Sequence, residues 1–395
     1  MRNPFTIGRW AHLYALPVLA ICLGGAAGTP GEECRAKSYQ DKISCYKQTL
    51  EQIILTQGTE QALDTLQQLA SVDPDVRHYS HPYTHHVGKF TFIHYKDAAT
   101  AFSHCKDTFW SGCYHGVLEG YVGQFPNLQP ADSAGVCGGV NDPSRPIFIK
   151  FQCVHGLGHG LTMHFSHDMF KALTYCDALT TWWDRESCYG GAFMENVIWY
   201  QTGPHEGHGD HHAHGSQATH TKLLDPNDPH YPCNAVGALY RRSCYMMQTS
   251  AMLTFNNYDF AKTFAECEQA PDDLIVTSVR SLGRDVSGYT LTNAERVRTL
   301  CLLGQPNRVS ACYYGAAKDF GFTHASPQRS IGLCKIVDGP YKADCYTAVQ
   351  EFIADFHADQ AKRDLECQTA DEAYQSLCRG TPKAAAGKQN QKTKN

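Results

Sequence analysis

The sequence predicts an all-α protein: a disulfide-stapled α-solenoid of helix-turn-helix repeats, each of about 34 residues. Three observations carry this. The cysteines fall in local pairs: Cys34/Cys45, Cys233/Cys244, Cys301/Cys312, Cys334/Cys345 and Cys367/Cys378 each enclose ten residues, Cys176/Cys188 eleven, Cys105/Cys113 seven and Cys137/Cys153 fifteen. The second cysteine is usually followed by Tyr and then by a helical-looking run, such as Cys345-Tyr-Thr-Ala-Val-Gln-Glu-Phe-Ile. The second cysteines advance by 33 from 312 to 345 and by 33 again to 378, and by 68 from 45 to 113 and from 244 to 312, which is twice 34.

Two repeats then lack the marker cysteine. One falls at Ser278, eleven residues after Cys267, so Cys267 is expected to be a buried free thiol. The other falls near Tyr79. Pairing within a hairpin, Cys312 with Cys334 for instance, would strand Cys34 and Cys45, so parity favours the local loops. A closed loop of this size stabilises by roughly 3 kcal/mol in the chain-entropy account.

Taken in order, residues 1–27 read as a secretory signal: Arg2 and Arg9 give a positive start, Leu13 to Leu23 a short apolar run, and Gly25-Ala26-Ala27 a small-residue cleavage site. The run is too short to span a bilayer comfortably, although it would also serve as an uncleaved anchor. No membrane span is expected after cleavage. Residues 28–380 form the repeat domain. It is interrupted at 202–232 by a Gly/Pro-bearing loop with seven histidines, His205, His208, His211, His212, His214, His220 and His230. Residues 381–395 are Lys/Gln/Ala-rich and read as a disordered basic tail. The chain has 395 residues and a net charge of -5, a mild balance that gives no reason to expect a nucleic-acid partner. Its 18 cysteines point to an oxidising compartment, secreted or periplasmic.

The chemistry lies after the marker position. With the cysteine as zero, +2 and +6 hold His115/Glu119 after Cys113 and His155/His159 after Cys153. With Tyr79 as zero, the same offsets give His81/His85. Residues four apart share one helix face, the spacing that lets two side chains grip one ion. Later repeats carry Met246/Ser250, Arg280/Arg284, Tyr314/Lys318 and Thr347/Glu351, so the metal-type groups occupy one block of the chain; the fourth repeat adds Glu195 one step beyond Met194. The expected metal ligands are His81, His85, His115, Glu119, His155 and His159, holding a transition metal: zinc, copper or iron. Not all can ligate one ion, so some would orient others through their second nitrogen. Glu119 and Glu195 are the expected general bases if a metal-bound water reacts. The bland alternative is a set of hydrogen-bonded core histidines. His86, His104, His164 and His167 fall outside the alignment. No P-loop, G-x-S-x-G elbow, haem site or Rossmann fingerprint occurs, so no other cofactor is implied.

The period, the cysteine spacing and the small residues after Cys-Tyr, as in Cys312-Tyr-Tyr-Gly315-Ala316-Ala317, resemble the tetratricopeptide and Sel1-like superfamily, above all its cysteine-rich secreted members. The resemblance covers most of residues 34–380 and implies architecture alone, because the Leu-Gly-x-x-Tyr signature of the superfamily is not cleanly present. The leading expectation is a metal-binding helical-repeat protein, with metalloenzyme chemistry if the ion is open to water. Its alternatives are a scaffold offering a concave surface to a protein partner, and a metal carrier acting through the His-rich loop.

Overall fold

The computed structural model describes residues 30–106, 108–138, 147–202, 223–324, 326–357 and 359–380. The signal segment, most of the His-rich loop and the basic tail lie outside them. The described residues contain helices and no strand. The helices are α1 (Tyr39–Gln57), α2 (Thr59–Val72), α3 (Pro74–His78), α4 (Ser80–Tyr95), α5 (Ala98–Ser103), α6 (Thr108–Gly123), α7 (Pro130–Gly135), α8 (Ile147–His164), α9 (Met169–Cys176) and α10 (Trp182–Thr202). After the insertion come α11 (Ala238–Tyr245), α12 (Thr249–Phe255), α13 (Phe260–Cys267), α14 (Ile275–Tyr289), α15 (Ala294–Cys301), α16 (Val309–His324), α17 (Pro327–Ile336), α18 (Lys342–Phe356), α19 (Gln360–Glu366) and α20 (Gln375–Arg379).

A three-part pattern recurs. A helix is followed by two residues of left-handed backbone, a polar residue caps the next, short helix, and that short helix ends at a cysteine. After α8 the left-handed pair is Ser166/His167 (φ 54° and 64°), after α12 it is Asn257/Tyr258 (51° and 60°), and after α14 it is Leu291/Thr292 (53° and 55°). In each the second amide donates back to the helix before it: His167 to the Thr162 carbonyl at 2.8 Å, Tyr258 to that of Leu253 at 2.8 Å, Thr292 to that of Ser287 at 3.0 Å. These bonds satisfy carbonyls that the last helical turn leaves open. The residue that follows is a helix cap: Asp168, Asp259 and Asn293 each accept from a backbone amide at 3.0 Å, of Lys171, Lys262 and Arg296.

The cysteine at the end of the short helix then reaches the next long helix. All eight expected disulfides are present, Cys34–Cys45, Cys105–Cys113, Cys137–Cys153, Cys176–Cys188, Cys233–Cys244, Cys301–Cys312, Cys334–Cys345 and Cys367–Cys378. Cys267 is free and buried, with the Ser278 hydroxyl against it where a partner sulfur would stand. The tyrosine after the second cysteine explains itself structurally. Tyr46, Tyr189, Tyr245, Tyr313 and Tyr346 are among the largest fully buried side chains. Tyr189 and Tyr313 donate to the preceding short segment, to Asp177 at 2.5 Å and to the Arg298 carbonyl at 3.2 Å, whereas Tyr46 donates forward to Asp73 at 2.8 Å.

Long helices pack on their neighbours in chain order: α4 on α6, α6 on α8, α8 on α10, α14 on α16, α16 on α18. Three of these pairs meet backbone to backbone. A Cβ on Gly88 would stand 1.9 Å from the Cys113 carbonyl oxygen, and one on Gly116 1.9 Å from that of His85. Gly158 meets Cys188 at 2.0 Å and Gly191 meets His155 at 1.9 Å; Gly283 meets Cys312 at 2.1 Å and Gly315 meets Arg280 at 1.9 Å. Only glycine permits that approach.

These reciprocal contacts correct the register of α4. His85, His155 and Arg280 occupy the same structural position, and the latter two stand at +2. The zero of α4 is therefore Tyr83, one turn later than Tyr79. His85 is the counterpart of His115 and His155, Lys89 is the counterpart of Glu119 and His159, and His81 sits one turn before the series.

Helix α8 also touches α18, far along the chain. Phe148 of α8 lies between Phe322 of α16 and Phe356 of α18, with ring centroids 5.7 and 4.9 Å away.

Candidate metal centre

Each of α4, α6 and α8 offers one or two histidines on the face turned to its neighbours, because residues four apart share a stripe. The tight glycine contacts of α4 with α6, and Gly156, on which a Cβ would stand 3.2 Å from the His115 Cα, bring these stripes together. His81, His85, His115, His155 and His159 form one cluster: ring centroids are 4.5 Å apart for His81–His85, 5.4 Å for His85–His115, 4.4 Å for His115–His159, 5.4 Å for His115–His155 and 5.1 Å for His155–His159. The ligand-type nitrogens make two triads that share a member. Those of His81, His85 and His115 lie within 4.8 Å of one another, as do those of His115, His155 and His159.

Three rings are fixed from outside through Nδ1. His81 Nδ1 is 2.7 Å from the Phe109 carbonyl oxygen, His155 Nδ1 is 3.2 Å from that of Ser187, and His159 Nδ1 is 2.8 Å from Glu195 Oε2. A carbonyl can only accept, so in His81 and His155 the proton sits on Nδ1 and Nε2 carries a lone pair turned inward. This is the orientation seen when a second group positions a metal-ligating histidine.

The inner nitrogens are poorly satisfied. Neither ring nitrogen of His115 has a hydrogen-bond partner, nor has His159 Nε2; Gln152 lies close to the His115 ring without completing a bond. His115 is 2% exposed and His159 0%, so these are buried polar atoms with an unpaid desolvation cost of roughly 1–3 kcal/mol each. His85 Nε2 and His81 Nε2 lie 3.0 Å apart, while His85 Nδ1 faces Glu119 Oε2 at 3.9 Å. The Nε2 of His81 is an acceptor, and so is the carboxylate. The His81–His85 contact uses the single N–H of a neutral His85 ring, and His85 Nδ1 is left without a hydrogen-bond partner.

Burial governs the electrostatics. It pushes His81 down to about 3 and His155 down to about 4, helped by the His85 charge in the first case and by Arg284 in the second. His115 and His159 are likewise held well below the ordinary imidazole range by burial and by the neighbouring rings. Burial pushes Glu119 up, but the neighbouring His85 ring and the Lys89 ammonium outweigh it and pull the carboxyl down to about 2. Lys89 Nζ is 2.7 Å from Glu119 Oε1. Glu195 is pushed up to about 8 by burial and by the Glu119 charge.

The sequence-predicted residues thus converge, but in two layers. The five histidines supply inward nitrogens. Glu119 and Glu195 sit behind them, one at each end of the cluster, on His85 and His159. That placement favours positioning over general-base chemistry for both carboxylates. Sequence reasoning missed Lys89, which the corrected register puts at +6, and the backbone acceptors of Phe109 and Ser187. It also missed His167, whose Nδ1 is 4.0 Å from Glu195 Oε1 and whose ring stacks on Trp199 at 3.8 Å; it sits in a left-handed turn that no repeat marker flags. His86, which pairs with Glu51 at 2.9 Å, and His104, stacked on Tyr95, belong to other contacts. His205, His208, His211, His212, His214 and His220 lie outside the described residues; His230 is described, 3.2 Å from the Tyr245 hydroxyl.

Beyond the histidines the same inner row continues with different chemistry. Arg280 stacks over Tyr314 at 3.7 Å, Tyr314 donates to Glu351, and Lys318 pairs with Glu351 at 3.0 Å. No family model matches the chain, and neither a curated protein nor a solved structure matches it.

Proposed function

We propose that this is a metal-binding helical-repeat protein of an oxidising compartment, secreted or periplasmic, that holds a transition metal between three successive repeats. The observation that carries the reading is the histidine cluster: three rings are locked from outside through Nδ1, and the inner nitrogens converge in a buried space where His115 has no partner. All-imidazole donors suit zinc, copper or iron, and the absence of thiolate favours an open, reactive site over a closed structural one. The architecture that serves it is a solenoid of the tetratricopeptide and Sel1-like kind, wound tightly enough for α8 to meet α18. Eight disulfides fit an oxidising compartment, and among the described residues no helix is long and apolar enough to cross a membrane.

The test is elemental analysis of the full chain, purified without an affinity tag. Stoichiometric metal is expected after extensive dialysis, retained when His205–His220 are replaced by Ser and lost in the His115→Ala, His155→Ala double variant. Metal lost with the loop histidines alone would make the protein a carrier. No metal in any form would leave a scaffold for a protein partner.

A further inference from the structure

The cluster contains more donors than one ion takes, and their arrangement has a shared member. His115 belongs to both triads, and neither of its ring nitrogens has a partner within hydrogen-bond geometry, although the Gln152 side chain lies beside the ring. In an ordinary terminal ligand one nitrogen binds the ion and the other donates its N–H to an acceptor. His81 and His155 follow that rule, with acceptors at Phe109 and Ser187, and His159 Nδ1 is paired with Glu195. His115 breaks it although it lies at the centre, buried from solvent. The separation of His81 Nε2 from His85 Nε2, 3.0 Å, is near the roughly 3.3 Å expected for two nitrogens on one tetrahedral ion with bonds of about 2.05 Å. The first triad therefore makes a site without help from His155 and His159.

We infer that the centre is dinuclear, with the His115 ring bridging two ions: one held by His81 and His85, the other by His155 and His159. This rests on the metal-binding reading above. Each ion has two terminal imidazoles and one nitrogen of the bridge, which leaves a position for solvent or substrate. The bridging ring gives up its single N–H proton to solvent as the second ion binds, so neither nitrogen needs an acceptor. Glu119 and Glu195 then stand symmetrically, behind a terminal histidine of each site.

Copper(II) is the probe. The full chain is loaded, passed over a weak chelating resin to strip exposed ions, and measured for copper and for electron-spin count. The expected result is two retained ions per chain with a spin count well below the copper count, because an imidazole bridge couples the two spins. In His81→Ala, where the ring is only partly buried, one ion should remain with its full spin; in His115→Gln the coupling should vanish, with a thermal melt reporting that the fold persists. One retained ion in the unaltered chain, or two with full spin, overturns the bridge while leaving metal binding intact. No retained ion overturns both.

Discussion

At the residue scale, most of the chain's polar groups are placed by local rules, and a few stand out because they break one. Cys267 is such a case. Its thiol is pushed up to about 12 by burial, so it should not react with a thiol reagent in the native state and should react on unfolding. Ser278 occupies the vacant partner position, and Ser278→Cys should form a ninth bridge. The enclosed loop matches that of Cys301–Cys312, whose separation is 11, so a gain of roughly 2–3 kcal/mol in stability is expected, checked by denaturant unfolding with and without reductant. Asp73 tests electrostatics away from the centre. It caps α3, accepts from Tyr46 and from the Asp75 amide, and lies 3.6 Å from Lys42. Burial works against its charge, but these bonds win and its carboxyl is held below the usual range. The folded value is lower than the unfolded one, so the stabilisation is present above the unfolded value, about 4, and is lost as pH falls through the folded one. The stability difference between the unaltered chain and Asp73→Asn, measured by thermal melts, should shrink below about pH 4.

At the scale of the element, the glycines decide how closely helices pair. Gly158 lies against the Cys188 carbonyl and Gly283 against that of Cys312. Gly158→Ala and Gly283→Ala place a methyl group where an oxygen already stands, and α8 or α14 must move away. Each should cost about 1–3 kcal/mol or more, opposite in sign to the usual Gly→Ala gain in a helix; Gly123→Ala, with open space around it, serves as the control. The disulfide pairing was legible in the sequence because it is local: cysteine spacing and parity suffice. The register of α4 was not. It has Tyr83 where its counterparts carry Cys or Ser278, and the histidine at 81 imitates a +2 position. Gly88 and Gly116 held the answer, but only a three-dimensional contact shows which carbonyl each one faces. The left-handed turns were also hidden, since Ser166/His167, Asn257/Tyr258 and Leu291/Thr292 use no glycine; the Asp or Asn cap that follows is the trace they leave.

At the scale of the whole molecule, the sequence led to five histidines on neighbouring helices, and the packing of α4, α6 and α8 joins them in a continuous chain of ring contacts. What the sequence did not show was the second layer. Backbone carbonyls of Phe109 and Ser187 have no signature, and Glu195 falls one residue off the +6 stripe. Nor did it show the meeting of α8 with α18. Phe148 holds that contact and is buried; Phe148→Ala should cost about 3–5 kcal/mol by opening a cavity there, and a shift of the thermal melt reports it. Metal binding to the native state alone should act in the opposite sense. At a hundredfold excess of ion over the dissociation constant it adds about 2.7 kcal/mol.

Anomalous diffraction at the zinc edge, from crystals of the full chain grown with zinc, tests the central claim most directly. The account predicts peaks against the inward nitrogens of His81, His85, His115, His155 and His159, with Glu119 and Glu195 outside bonding range. Zinc found only elsewhere on the chain, with the His115 nitrogens still unligated, would contradict it.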